Sequence, residues 1–138
     1  MFSNNLVLFF DGACTKNPGG VATFGYKISC KETNFIYTAS GEVCRGSGAS
    51  SVVAEWGALL NALEYLKGQG WSGNIEIFGD SELIIKQLSG EYRVQKDHLI
   101  PYYRKCKEIL KDWDWCASWV PRKKNKECDR LSRKGKKS

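Results

Sequence analysis

Several things are scarce in this sequence, and each shortage closes a route. There is one histidine, His98, and the six cysteines (14, 30, 44, 106, 116 and 128) never form a Cys-x-x-Cys pair. Structural zinc sites bring their ligands in close pairs, so zinc is not expected, and buried, reduced thiols are the default, with an intracellular disulfide left open. No apolar run approaches the roughly 20 residues that cross a bilayer, and no charged segment followed by a long apolar core opens the chain. The expectation is a cytoplasmic protein with no membrane partner. Repeats, linkers and low-complexity tracts are also missing, so residues 1–138 read as one domain, long enough to bury about two thirds of its unfolded surface.

Basic charge is present, and it is local. Nine Lys and Arg lie between Arg122 and Lys137 against two acids, Glu127 and Asp129, a net of +7, where the whole chain carries +6 and the remainder therefore −1. Such a segment suits a polyanion, while its last residues, about 132–138, read as a solvated basic tail.

The chain begins with Leu6-Val7-Leu8-Phe9-Phe10, a strand apolar enough to be buried on both faces, ending on Asp11-Gly12. Asn17-Pro18-Gly19-Gly20 is a turn signal before strands over 21–31 and 35–43, which gives an antiparallel meander. Ser50 or Ser51 suits a helix N-cap, and Val52, Val53, Trp56, Leu59, Leu60, Leu63 and Leu66 repeat at helical spacing until Gly68-Gln69-Gly70. A strand over 74–78 runs into Asp80-Ser81 and a helix through Leu88; a further helix spans 99–110, a strand 113–120, and Pro121 stops it. Asn125 can cap a last short helix.

Four acids stand at the junctions. Asp11 ends a central strand, although Asp-Gly is also a hairpin signal. Glu55 projects from the apolar stripe of the first long helix, where a carboxylate is costly unless paired. Asp80 lies on a strand-to-helix turn, at the carboxyl end of its strand where ligands bind in open α/β sheets, yet an Asp there also makes a good cap. Asp129, alone, reads most simply as an i,i+4 partner of Arg133. Four converging carboxylates repel one another unless cations join them, and oxygen ligands without clustered His or Cys beside a basic surface point to Mg²⁺ and a phosphate substrate. Two such ions about 4 Å apart can activate a water and stabilise the leaving oxygen of a phosphodiester.

Phe10-Asp11-Gly12-Ala13 with Asn17-Pro18-Gly19, Ala54-Glu55 with Ala58-Leu59, Asp80-Ser81, and Trp119-Val120-Pro121 with Asn125-Lys126-Glu127-Cys128-Asp129 occur in order over nearly the whole chain. In these pieces the sequence resembles type 1 ribonuclease H. The resemblance implies an α/β, ribonuclease H-like fold: a five-stranded mixed sheet in the order 3-2-1-4-5, its first three strands antiparallel, flanked by helices. It also implies hydrolysis of the RNA strand of RNA–DNA hybrids to 3′-hydroxyl and 5′-phosphate ends. Asp11, Glu55, Asp80 and Asp129 would be the catalytic, metal-ligating acids, holding two Mg²⁺ with Mn²⁺ able to substitute. A monomer is expected.

For substrate contacts the resemblance points to the backbone of Gly12, Ala13 and Cys14 and to the Ser81 hydroxyl on the RNA strand, where the 2′-hydroxyl marks RNA. Asn17 and Ser50 match positions that grip a DNA-strand phosphate. Ser51, Glu82, Lys123, Lys124 and Asn125 complete the expected contacts. Three departures stand out. Ser50-Ser51-Val52 replaces the family's Thr-Asn-Asn, and Glu82 replaces a Gln. Residues 89–99 carry no long basic insertion, so the protruding handle is missing. The loop histidine is replaced by Arg122-Lys123-Lys124, and His98 lies far upstream and reads as structural. The alternative is a weakly active or inactive module of the same fold that binds hybrid or double-stranded RNA; RNA–DNA junctions are further candidate ligands. A proofreading-type exonuclease is set aside because it needs an Asp-x-Glu on the first strand, and residue 13 is Ala.

Overall fold

A computed structural model describes residues 5–16 and 19–134. Five strands, β1 (Asn5–Cys14), β2 (Val21–Cys30), β3 (Ile36–Arg45), β4 (Asn74–Gly79) and β5 (Asp114–Trp119), form one sheet in the order β3-β2-β1-β4-β5. β1, β2 and β3 are antiparallel, whereas β4 runs parallel to both β1 and β5. Helices α1 (Ser51–Gly68), α2 (Glu82–Leu88), α3 (Ile100–Leu110) and α4 (Lys126–Lys134) accompany it, with a 3₁₀ turn at Arg122–Lys124. The architecture implied by the resemblance is the one observed.

β1 differs from the expected strand in two ways. It runs on to Cys14, because β2 pairs with it through Cys14↔Ala22 even though Gly12-Ala13-Cys14 lacks the apolar run that marks a strand. Asp11 is therefore inside the strand, opposite Gly25, but one residue beyond the last pairing to β4 at Phe10↔Gly79. Nor is β1 buried on both faces. Leu6, Leu8 and Phe10 are buried, while Val7 and Phe9 alternate with them and are half-buried.

The buried face carries the main core. Trp56, Leu59, Leu63 and Leu66 of α1 pack with Leu6, Leu8, Phe10, Ile28, Ile75 and Ile77 of the sheet, and α2 and α3 add Ile84, Leu88, Cys106 and Leu110. Ser50 caps α1, its Oγ accepting from Val53 N–H at 3.1 Å, and past the far end Gly70 takes φ +74°, a conformation that favours glycine.

Among the described residues, only the short α4 lies on the other face. Lys27 Nζ reaches Glu127 Oε1 at 2.9 Å, the Thr23 hydroxyl donates to Ser132 O at 2.6 Å, and Cys128 Sγ lies 3.3 Å from Phe9 O. Ser132 is fully buried, so the expected tail from about 132 starts too early: α4 continues through Lys134 because β2 covers its inner side. Residues 135–138 lie outside the described residues. All six cysteines are free; Cys116 is exposed and Cys14 and Cys44 are half-buried, so burial of every thiol is not observed. Among the described residues no helix is long and apolar enough to cross a membrane.

Candidate active site

Two features of the backbone bring the first acids together. β4 ends at Gly79, so the Asp80 turn lies beside Asp11 where β1 has lost its neighbour on that side. Gly12 faces α1, and a Cβ there would overlap the backbone of Ala54 and Glu55. The missing side chain is what lets α1 approach β1 closely enough to deliver Glu55.

The result is a group of three acids, Asp11, Glu55 and Asp80, whose ligand oxygens all lie within 4.8 Å of one another. Their electrostatics follow from that crowding. Burial, then the Asp80 and Asp129 charges, push the Asp11 carboxyl from the usual range up to about 7, against an opposing hydrogen bond from the Gly12 backbone. Burial first, then Asp11 and Asp80, raise Glu55 to about 8, although the Ser81 hydroxyl bonds to it and favours its ionised form. Asp80 is raised by burial and by Asp129, and held back by Asn125 and Arg122. Hard oxygen donors that resist ionising together fit a divalent cation, whose charge would relieve the repulsion.

Asp129 stands outside this group. Its Oδ1 is 3.3 Å from Arg133 Nε, the i,i+4 pair that its spacing allowed, although its charge is felt at Asp11 and Asp80. Such a pair contributes only about 0.3–0.5 kcal/mol on an exposed helix.

Asn125 differs from its expected role as a substrate contact. The residue is 2% exposed, and its Nδ2 donates to Phe10 O at 2.9 Å and to Asp80 Oδ2 at 3.2 Å. Its backbone carbonyl accepts from Asp129 N–H, so the chain enters α4 there as anticipated, but the side chain turns inward rather than capping. The amide thus ties the last helix to the first strand and to Asp80. Oδ1 is buried without a partner, which leaves Nδ2 as the only end able to meet two acceptors.

The other expected contacts lie at the rim. The Ser81 hydroxyl both bonds Glu55 and caps α2, accepting from Ile84 N–H at 3.4 Å. Glu82 is exposed and 3.4 Å from Lys86, and Lys123 and Lys124 are exposed on the 3₁₀ turn. Gly12, Ala13 and Cys14 run past the acids at the end of β1, with Cys14 Sγ donating to Lys16 O at 2.9 Å. Asn17 lies outside the described residues. Ser50, Ser51 and Val52 line a groove of about 940 Å³ whose opposite wall includes Arg93, Lys96 and His98. His98 is exposed there and takes no part in the core, which its connector reaches through Val94 and Leu99 instead.

Two neighbours carry no clear signal in the sequence. Arg122 lowers Asp11, Glu55 and Asp80, but nothing in the sequence separates it from the lysines beside it. Trp119 donates its indole N–H to Asp80 O at 3.2 Å, a bond that strand patterning does not announce.

Residues 9–135 match the family model described as "Reverse transcriptase-like". The chain belongs to that family. Its relatives include ribonucleases H. It is 32% identical over 125 residues to the Ribonuclease HI of Halobacterium salinarum, covering 90% of this chain and 60% of that protein. The crystal structure of RNase H1 from that archaeon superposes with a TM-score of 0.86 at 30% identity, covering 96% of this chain and 98% of the other. LC11-RNase H1, solved in complex with an RNA/DNA hybrid, gives 0.83 at 28% identity over 94% of each chain. The chain spans about a third to three fifths of the length of the curated relatives it matches.

Proposed function

We propose that this chain is a divalent-metal-dependent endonuclease that cuts the RNA strand of RNA–DNA hybrids, leaving 3′-hydroxyl and 5′-phosphate ends. The observation that carries the reading is the trio Asp11, Glu55 and Asp80, three carboxylates gathered within 4.8 Å and raised toward neutrality by burial and by one another. A chain that keeps such costly groups needs a cation to ionise them. Two Mg²⁺, with Mn²⁺ able to substitute, would when bound supply water activation and charge stabilisation at the leaving oxygen. The trio would hold them, with Asp129 as fourth ligand drawn from its weak tie to Arg133.

The chain's own residues do the positioning. Asn125 fixes Asp80 through Nδ2, Ser81 orients Glu55, and Gly12 sets the distance between β1 and α1. Ser50 and Ser51 on the groove take the DNA strand, while Gly12, Ala13, Cys14, Ser81 and Glu82 meet the RNA strand. RNA–DNA junctions and double-stranded RNA are further candidate substrates, and the working form is a cytoplasmic monomer.

One observation favours a weakly active or purely binding module instead: Asp129 lies outside the trio and pairs with Arg133. An end-labelled hybrid incubated with Mg²⁺ or Mn²⁺ separates the readings. Internal cuts in RNA, absent with Asp11→Asn, support the nuclease. Tight metal-independent binding without cleavage would establish the module.

A further inference from the structure

Trp119 is 51% exposed at the last position of β5, an edge strand. Strand alternation puts it on the face shared with Trp115 and Ala117, next to Gly79, its partner in β4. The ring is not loose: Nε1 donates to Asp80 O at 3.2 Å, and the next residue, Val120, donates its N–H to Gly79 O at 3.0 Å. The indole edge is thereby fixed to the turn that carries a site acid, while half of the residue stays open to solvent. The other four tryptophans differ: Trp56, Trp71 and Trp113 are buried, and Trp115 is half-buried against Lys107, whose Nζ lies 4.8 Å from its ring centre. Shortly after Trp119 come Arg122, Lys123 and Lys124.

We propose that Trp119 is a substrate-binding residue: its ring is a platform for the sugar–base unit of the RNA strand beside the phosphate being cut. This rests on the nuclease reading above. A phosphate placed on a trio that includes Asp80 leaves its neighbouring nucleotide close to the ring bonded to Asp80 O. Aromatic faces take sugars and bases without regard to sequence, and interleaved cations hold the backbone that links them. The hydrogen bond fixes the plane in advance, so binding orders no flexible side chain. The position beside Ser81 and Glu82 on the following helix also suits an RNA-strand contact rather than a DNA-strand one, since the groove at Ser50 lies at the N-terminus of α1.

Two substitutions separate the ring's face from its N–H. Trp119→Phe keeps an aromatic surface but cannot bond Asp80 O; Trp119→Ala loses both. In hybrid cleavage, Trp119→Ala is expected to raise KM about tenfold with kcat within about threefold, and Trp119→Phe to stay within about threefold of the parent in KM. A second reading is independent of turnover. In the Asp11→Asn protein, hybrid should quench a share of tryptophan emission that disappears in Asp11→Asn/Trp119→Phe, with binding itself followed by anisotropy of labelled hybrid. Equal KM values for Trp119→Ala and the parent, or quenching unchanged by loss of Trp119 while hybrid is bound, would overturn the platform and leave the nuclease intact. Absence of both cleavage and hybrid binding in the parent would instead remove the nuclease reading.

Discussion

The two faces of the sheet hold their acids by different means. On the α1 face, Glu55 is carried by an 18-residue helix seated on the main core, and Gly12 brings that helix against β1. On the other face, Asp129 rides a nine-residue helix seated on β2 through buried Cys128 and Ser132 and tied by polar links: Asn125 to Phe10 O and Asp80, Cys128 to Phe9 O, Thr23 to Ser132 O, and Lys27 to Glu127. Asp11 shares this second face with Gly25, where a Cβ would crowd Leu131 and Ser132. Both helices are seated by a glycine contact, but Glu55 joins the trio whereas the Asp129 side chain stays outside it, held by an ion pair of small strength.

The largest test of that difference compares Asp11→Asn with Asp129→Asn. The first should lower hybrid cleavage at least about a thousandfold, the second about ten- to a hundredfold; equal losses would mean that Asp129 is bound as firmly as the trio. Next, Gly12→Ala should cut activity strongly, because α1 must move away from β1, and should lower the unfolding free energy by about 2 kcal/mol or more in denaturant titration. Gly25→Ala should cost stability on the α4 side while sparing more of the activity.

The raised acids give a pH test of smaller size. A carboxyl whose folded pKa exceeds its unfolded value binds its proton more tightly when folded, so its contribution favours the native state at low pH and is lost as pH rises from about 4 through 7 to 8. Metal-free Asp11→Asn should therefore unfold at a higher temperature than the parent at pH 8.5, by about 3–8 °C, and at a similar temperature at pH 4. A variant less stable than the parent at pH 8.5 would contradict the crowding of the trio. Smallest, neutralising Lys123, Lys124 and Lys126 should weaken hybrid binding and flatten the slope of log affinity against log salt by about one unit for each phosphate that these lysines neutralise. An unchanged slope would turn the basic segment away from substrate.

Most of the framework was legible in the residues. Apolar runs broken by Gly and Asn marked the strands, and helical spacing from Val52 to Leu66 marked α1, so Glu55 could be set on its inner side. Other features depend on contacts between distant parts. β1 extends to Cys14 because β2 pairs with it, not because Gly-Ala-Cys favours a strand. Asn125 turns inward because β4 stops at Gly79 and leaves Phe10 O for its amide, an opening that local sequence does not encode. His98 departs from expectation for the same reason, since neighbours in sequence say little about which side of a connector meets water, and the exposure of Trp119 on its edge strand is equally unmarked.

The bond from Asn125 to Phe10 joins residues 115 apart along the chain, which gives the centre a timetable. During synthesis the ribosome releases β1, α1 and the Asp80 turn well before α4, so Asp11, Glu55 and Asp80 precede the amide that fixes Asp80.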